Sequence, residues 1–277
     1  MIHHFTVGDL SCAVISDGQP RPPWEPPLAE FFTPATGVPE RELSAAAAGR
    51  TTLTCGYNCV AVATGAGTAV IDAGLGRGFT GYGPALAPLY GRLADGLAEA
   101  GLAAWETAAV VFTHLHEDHT RGALAAFPTA SGFAHAAEVA YWKEATSLPD
   151  VRRRPALDAI AAFGDRLREV EYGEEILPHV HTVDAAGHTP GHTAILLRSR
   201  GERLLCVGDS FYDPLQLAHP AWRTPWDHDA ERSVRSRRRL LAWAADENVP
   251  VHAYHLPFPG LGRVERWGDA FAWRPGL

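Results

Sequence analysis

The stretch His114-Leu115-His116-Glu117-Asp118-His119 sets three imidazoles and a carboxylate within six residues, directly after the apolar run Ala108-Ala109-Val110-Val111-Phe112. In an extended segment, residues two apart point to the same side, so His114 and His116 can grip one ion. Asp118 and His119 come after the chain has begun to turn and can face a second ion beside the first. Neutral imidazole and carboxylate are donors that Zn²⁺, Mn²⁺ or Fe²⁺ accept. The plain alternative is a His-rich surface loop that binds metal adventitiously, and distant ligands would decide between the two. Glu117 reads as a spacer, because the next histidine comes one residue too early for an H-E-x-x-H helix.

Further donors stand where apolar runs end. Gly187-His188-Thr189-Pro190-Gly191-His192 is a turn shaped by Gly and Pro. Those residues rule out a helical i, i+4 histidine pair, so only one of the two histidines is expected to be a ligand. Gly208-Asp209-Ser210 follows Leu204-Leu205-Cys206-Val207, and Tyr254-His255-Leu256-Pro257 follows Pro250–Ala253. Each is a weak signal alone, since a strand-end His or Asp often only forms a turn. Together with the first motif they complete a seven-ligand set.

These loops need strands to carry them. Ile2–Val7 and Ser11–Ser16 flank Gly8-Asp9 as a hairpin, and Asn58–Thr64 with Thr68–Asp72 form a second. Ala108–Phe112 reads as a buried strand leading to the histidine motif. Helical periodicity marks Pro84–Ala100, Ala136–Ala145, Pro155–Arg168 and Asp229–Glu247. Strands return at His179–Asp184, Ala194–Arg198 and Arg203–Val207, and Val251–Tyr254 reads as the last. Gln19–Pro39, too Pro-rich for a regular element and too apolar for a free linker, is expected to lie as an arm on the body. Two groups of strands with helices between and after them suit two packed sheets with helices outside.

The remaining composition narrows the classes. A chain of 277 residues can bury one large core, so residues 1–277 are read as a single domain with an N-terminal arm over about 1–50. The formal charge of −8 argues against nucleic-acid partners, which need clustered Lys and Arg. Arg152-Arg153-Arg154 and the group Arg235, Arg237-Arg238-Arg239 read as solvated faces. Cys12, Cys55, Cys59 and Cys206 form no C-x-x-C pair, and the apolar setting of Cys12, Cys59 and Cys206 predicts buried free thiols. No secretory leader and no apolar run near the roughly 18 residues of a membrane span is evident, so the expected location is the cytoplasm, without membrane attachment.

With this motif set in view, the sequence resembles the metallo-β-lactamase fold superfamily, αββα hydrolases whose signature is H-x-H-x-D-H, over about Asn58 to His255. The resemblance implies an αββα sandwich of two mixed sheets with outer helices. It implies that His114, His116 and His192 hold one ion, that Asp118, His119 and His255 hold the other, and that Asp209 bridges them. His188 is then a turn residue, and Val70-Ile71-Asp72-Ala73-Gly74 resembles the strand-turn that braces the metal loop. Flavodiiron oxidoreductases carry Glu at the place of His116, and the main zinc β-lactamases carry Cys or Ser at the place of Asp209, so neither activity is favoured. Glyoxalase II and persulfide dioxygenases share the ligands but follow the bridging Asp with a Gly-Arg-rich segment, where this chain has Phe211-Tyr212-Asp213-Pro214. The tail His255-Leu256-Pro257-Phe258-Pro259-Gly260-Leu261-Gly262 looks most like the methyl parathion hydrolase and N-acyl-homoserine-lactone lactonase branch.

The expected enzyme is a dinuclear metal-dependent hydrolase that opens a lactone or ester with a metal-bridging hydroxide. The cofactors would be two divalent ions, zinc first, with manganese, iron or cobalt as alternatives. Asp118 could orient the nucleophile and pass a proton to the leaving group. Tyr212 lies where lactonases of this family direct a tyrosine at the substrate carbonyl, though an ordinary wall tyrosine fits equally. Trp24, Phe31, Phe32, Trp222, Trp226 and Phe258 are candidate pocket aromatics for an uncharged, partly hydrophobic small-molecule substrate. A biosynthetic thioesterase or cyclase and a phosphotriesterase could use the same ligands, and an iron-dependent persulfide dioxygenase is the rival of another class. A homodimer is suggested by the resemblance and the apolar arm.

Overall fold

Two seven-stranded mixed sheets form the frame in this computed structural model, which describes residues 1–18, 25–102 and 106–277. The first sheet takes β1 (Ile2–Val7), β2 (Leu10–Gly18), β3 (Tyr57–Thr64), β4 (Gly67–Ile71), β5 (Thr107–Val111), β6 (Ser131–His135) and β7 (Leu167–Val170), in that spatial order. The second takes β8 (Glu175–Leu177), β9 (Val180–Asp184), β10 (Thr193–Ser199), β11 (Glu202–Cys206), β12 (Val251–His252), β13 (Leu261–Trp267) and β14 (Ala270–Pro275), likewise in order. Among the described residues the helices are α1 (Leu28–Thr36), α2 (Glu40–Ala46), α3 (Leu93–Glu99), α4 (Glu117–Thr120), α5 (Ala123–Ala126), α6 (Ala136–Glu144), α7 (Asp150–Phe163), α8 (Leu215–Ala218) and α9 (Ala230–Asp246). None of them is long and apolar enough to cross a membrane.

The period-2 geometry of strands explains the layering. On β2, Cys12 and Val14 enter a cluster between the sheets with Val60, Ile71 and Val111. Ala13 and Ile15 point the other way, to a cluster with Leu93 and Leu97 of α3, Val139 and Trp142 of α6, and Phe163 of α7. On β10, Ile195 and Leu197 face the first sheet, while Ala194 and Leu196 meet Leu240, Leu241 and Ala244 of α9. Strands buried on both faces read as nearly continuous apolar runs, which is how these segments appear in the sequence. The result is helix, sheet, sheet, helix.

β4 and β5 run parallel, as do β11 and β12, with Ile71 beside Val111 and Cys206 beside His252. Each parallel pair therefore ends together. The loops that leave β4 and β5 carry Asp72 and the histidine motif, and those that leave β11 and β12 carry Asp209 and His255.

Several sequence expectations are corrected. The Pro-rich arm is not devoid of elements: α1 and α2 build a cluster of Leu28, Phe31, Phe32 and Leu43 against Tyr212 and Trp222. Burial of that apolar face outweighs the unfavourable propensity of Pro. The helix expected over Pro84–Ala100 is confined to Leu93–Glu99 after a 3₁₀ turn at Ala87–Leu89. The one expected at Pro155–Arg168 begins at Asp150, and Arg168 lies instead in β7. β12 is followed by the β13–β14 hairpin, whose charged and apolar residues alternate over Arg263-Val264-Glu265. Arg237, expected on a solvated face, is fully buried. Its Nε donates to Ser210 O at 2.6 Å and its Nη1 to Trp222 O at 2.6 Å, so it ties α9 to the loop after Asp209.

Candidate metal centre

Asp72 holds the first loop in shape. It is a buried non-glycine residue at φ 57°, a conformation that Asp tolerates better than most. Its Oδ1 accepts Thr113 N–H at 2.8 Å, and its Oδ2 accepts the Thr113 hydroxyl at 2.8 Å and lies 2.8 Å from His119 Nδ1. A carboxylate on one ring nitrogen fixes the tautomer and leaves Nε2 free to ligate. Ala73 N–H donates to His119 O at 2.8 Å, closing the turn.

Two groups of donors converge. In the first, His116 Nδ1 lies 2.9 Å from His114 Nε2 and 2.9 Å from His188 Nε2, and Asp209 Oδ2 is 3.4 Å from His188 Nε2. In the second, His255 Nε2 is 3.4 Å from Asp118 Oδ2, and Asp118 Oδ2 is 3.7 Å from His119 Nε2. Asp209 Oδ1 reaches that second group, at 3.1 Å from His119 Nε2 and 3.3 Å from His255 Nε2. Asp209 thus turns one oxygen to each group.

The donor chemistry fits cations in both places. One lone pair on His116 Nδ1 cannot serve two neighbouring nitrogens well, whereas one cation would accept all three. His119 Nε2 and Asp209 Oδ1 are buried without a hydrogen-bond partner, which is costly unless something positive sits between them. Burial, joined by the neighbouring imidazoles, holds His114 and His116 well below the usual histidine range, so both present lone pairs. Burial also acts to lower His119, but Asp209, Asp72 and Asp118 outweigh it and raise the ring to about 10. His255 is likewise driven up, against burial, chiefly by Asp209. Burial would raise Asp209, yet His255, His119 and His114 hold it well below the usual carboxylate range. In the second group, then, histidine protons offset the carboxylates, a task a metal ion would take over.

The donor geometry departs from one expected placement. Of the seven residues expected, the structure brings His114, His116, Asp118, His119, Asp209 and His255 together but not His192. Both ring nitrogens of His192 are engaged by backbone: Nδ1 donates to Ala185 O at 2.9 Å, and Nε2 accepts Asp209 N–H at 3.0 Å. His188, expected to be a turn residue, takes that place. His192 instead fixes Asp209 from behind, and a Cβ at Gly208 would stand 2.6 Å from its Nε2. On its far side, His188 Nδ1 lies 3.2 Å from Asp227 Oδ1, a carboxylate buried beside Arg237. Asp227 gave no signal in the sequence, because it sits 39 residues from its partner in an irregular segment.

Above the donors lies a cleft of about 420 Å³, walled by Tyr57, Tyr82, Tyr141, Trp142, Tyr212 and Trp226. Tyr212 is buried, and its hydroxyl donates to Asp209 Oδ2 at 2.7 Å. Its ring stacks on His255 at 4.9 Å and meets Phe31 edge-on at 5.2 Å. Both carboxylates line the cleft, and Asp118, whose side chain is 18% exposed against 4% for Asp209, is the more open of the two. Of the aromatics expected in the pocket, Trp226 lines it, whereas Phe31, Phe32 and Trp222 pack into the arm cluster behind Tyr212. Phe258 packs against the inter-sheet core, and Trp24 lies outside the described residues. All four cysteines are buried and free, and Cys55 Sγ lies 3.1 Å from His255 Nδ1.

Several solved structures share this arrangement of sheets and helices. AidC, described as a dizinc quorum-quenching lactonase in complex with a homoserine product, matches with a TM-score of 0.88 at 24% identity, covering 100% of this chain and 97% of its own. AbOPH, described as a hydrolase in the beta-lactamase superfamily, matches at 0.85 with 24% identity and the same coverage. A variant of AiiA from B. thuringiensis, with N-decanoyl-L-homoserine at its active site, matches at 0.63 with 18% identity over 91% of this chain and 94% of its own. At these identities the likeness speaks for the fold. No curated protein matches by sequence. The sequence pattern of the metallo-beta-lactamase superfamily matches residues 53–252, a span from the arm's end to the last parallel strand, and the chain belongs to that superfamily.

Proposed function

We propose that this protein is a metal-dependent hydrolase that holds two divalent ions and opens a lactone or related ester. The observation that carries the reading is Asp209, a buried carboxylate with one oxygen on each of two donor groups. His114, His116 and His188 would hold one ion and Asp118, His119 and His255 the other, with zinc the ion best suited to this nitrogen-rich, buried set. Such a pair of ions would lower the pKa of a shared water and stabilise charge developing on a substrate oxygen.

The chain's own groups supply the rest. Asp118, the more open of the two carboxylates, is placed to take the proton of an attacking water and return it to the leaving alkoxide. Tyr212 directs a hydroxyl at the same centre, where it can donate to a carbonyl oxygen as charge builds on it. The aromatic walls suit an uncharged, partly apolar substrate. AidC, described as a lactonase with a homoserine product, and AiiA, described with N-decanoyl-L-homoserine at its active site, support a lactone.

The test is metal content and turnover on the same samples. Protein stripped with a strong chelator should lose hydrolysis of N-acyl-homoserine lactones and recover it with Zn²⁺, Mn²⁺ or Co²⁺. Full activity in verified metal-free protein would overturn the reading. A phosphotriester or thioester turned over with higher kcat/KM than any lactone would move the substrate. Oxygen consumption with glutathione persulfide would replace hydrolysis by dioxygenase chemistry.

A further inference from the structure

Glu138 is fully buried, yet it stands on α6 and belongs to neither donor group. At the third position of a helix, a glutamate commonly folds back onto the N-cap N–H. This one turns outward. Its Oε1 accepts Leu115 N–H at 2.9 Å and Trp142 Nε1–H at 2.7 Å. Its Oε2 accepts the Thr189 hydroxyl at 2.5 Å and Gly191 N–H at 3.1 Å. The division follows the metal loops. Leu115 sits between His114 and His116, and the Trp142 ring packs on His116 at 5.4 Å. Thr189 follows His188, and Gly191 closes that turn. A Cβ at Gly191 would stand 2.3 Å from Glu138 N, so the turn is pressed against the start of α6.

We infer that Glu138 is a positioning residue that sets one of the two ion positions, by holding the His116 loop with one oxygen and the His188 turn with the other; this rests on the dinuclear reading above. His116 and His188 are 72 residues apart, and the backbone bond that joins their segments, from Thr193 N–H to Thr113 O at 2.8 Å, lies outside the two ring-bearing loops, yet the ring nitrogens lie 2.9 Å apart. Asp72 does the corresponding work for the other position through Thr113 and His119. All four partners of Glu138 are donors, so an amide in its place must turn an N–H₂ toward one loop or the other. The effect should fall on one ion and spare its neighbour.

The experiment is titration of ion-free protein with Zn²⁺ against a competing chelator, paired with the absorption spectrum of the Co²⁺ form. For Glu138→Gln, one of the two binding steps should weaken by roughly 10–100-fold, the scale of losing a group that orients a ligand. The other step should stay as in wild type, and the Co²⁺ bands of one site should change. Thr189→Val, which removes one of the four donors and leaves Glu138 in place, should move the same step by less, and Thr189→Ser should restore it. That pair carries the test if Glu138→Gln does not fold. Two unchanged steps in Glu138→Gln, or in Thr189→Val where that variant alone folds, overturn the inference, as does equal weakening of both steps in parallel with thermal stability. Wild type that binds no ion at all would instead overturn the dinuclear reading itself.

Discussion

Replacing Tyr212 by Phe removes one oxygen from a ring held on three sides, stacked on His255 and set edge-on to Phe31 and Trp226. The ring should stay where it is. In the free protein the hydroxyl donates to Asp209 Oδ2 at 2.7 Å, a bond to a charged acceptor that contributes about 1.5–3 kcal/mol. To serve a developing oxyanion, it must exchange that acceptor for another anionic oxygen, so only the difference between the two bonds reaches the barrier. The loss in kcat on lactones should therefore fall below the roughly 10²–10³-fold of a full oxyanion donor, at about 10–100-fold, or about 1.4–2.7 kcal/mol. KM should change little, because the bond strengthens only as charge develops. The assay is steady-state kinetics on lactones of increasing acyl length, with ion content measured on the same samples. Unchanged kcat with both ions bound would remove Tyr212 from the chemistry. Loss of an ion would show that the hydroxyl acts by holding Asp209, and the argument from the oxyanion would fail.

Asp209→Ala takes away the carboxylate shared by both donor groups, and it should cost at least one ion and at least roughly 10²-fold in activity; elemental analysis beside kinetics checks both. His188→Ala should lower the ion content, whereas His192→Ala should keep both ions and lower folding stability by about 1–3 kcal/mol, because Ala185 O and Asp209 N–H lose their partner. The reverse pattern would reinstate His192 as the ligand. Burial pushes the Cys12 thiol up to about 12 and holds Cys59 and Cys206 well above the usual range. These three should resist a thiol reagent at pH 8 in native protein and react after denaturation, and fast labelling of any of them would contradict the burial.

Much of this molecule is legible in the residues themselves. The histidine motif, Asp209 and His255 are recognisable because strand ends are marked by apolar runs, and a ligand's chemistry belongs to its side chain. The grouping of strands into two sets forecast two sheets, since strands close in sequence tend to pair. Tertiary structure decided what depends on the far side of a residue. His188 and His192 occupy one turn and are chemically identical. Which of them faces the centre follows from Asp227 and Glu138, which arrive from elsewhere and fix how the turn lies. Glu138 stands in no sequence motif, and only the structure shows it buried with Val139 and Trp142. Arg237 looked like one of a solvated group and proved to be buried, because one-dimensional charge patterning does not show which turn of α9 meets the loop after Asp209. Residue type and spacing thus determined that an ion-binding centre could form. Which ring joins which donor group was decided by the packing of segments far apart in the chain.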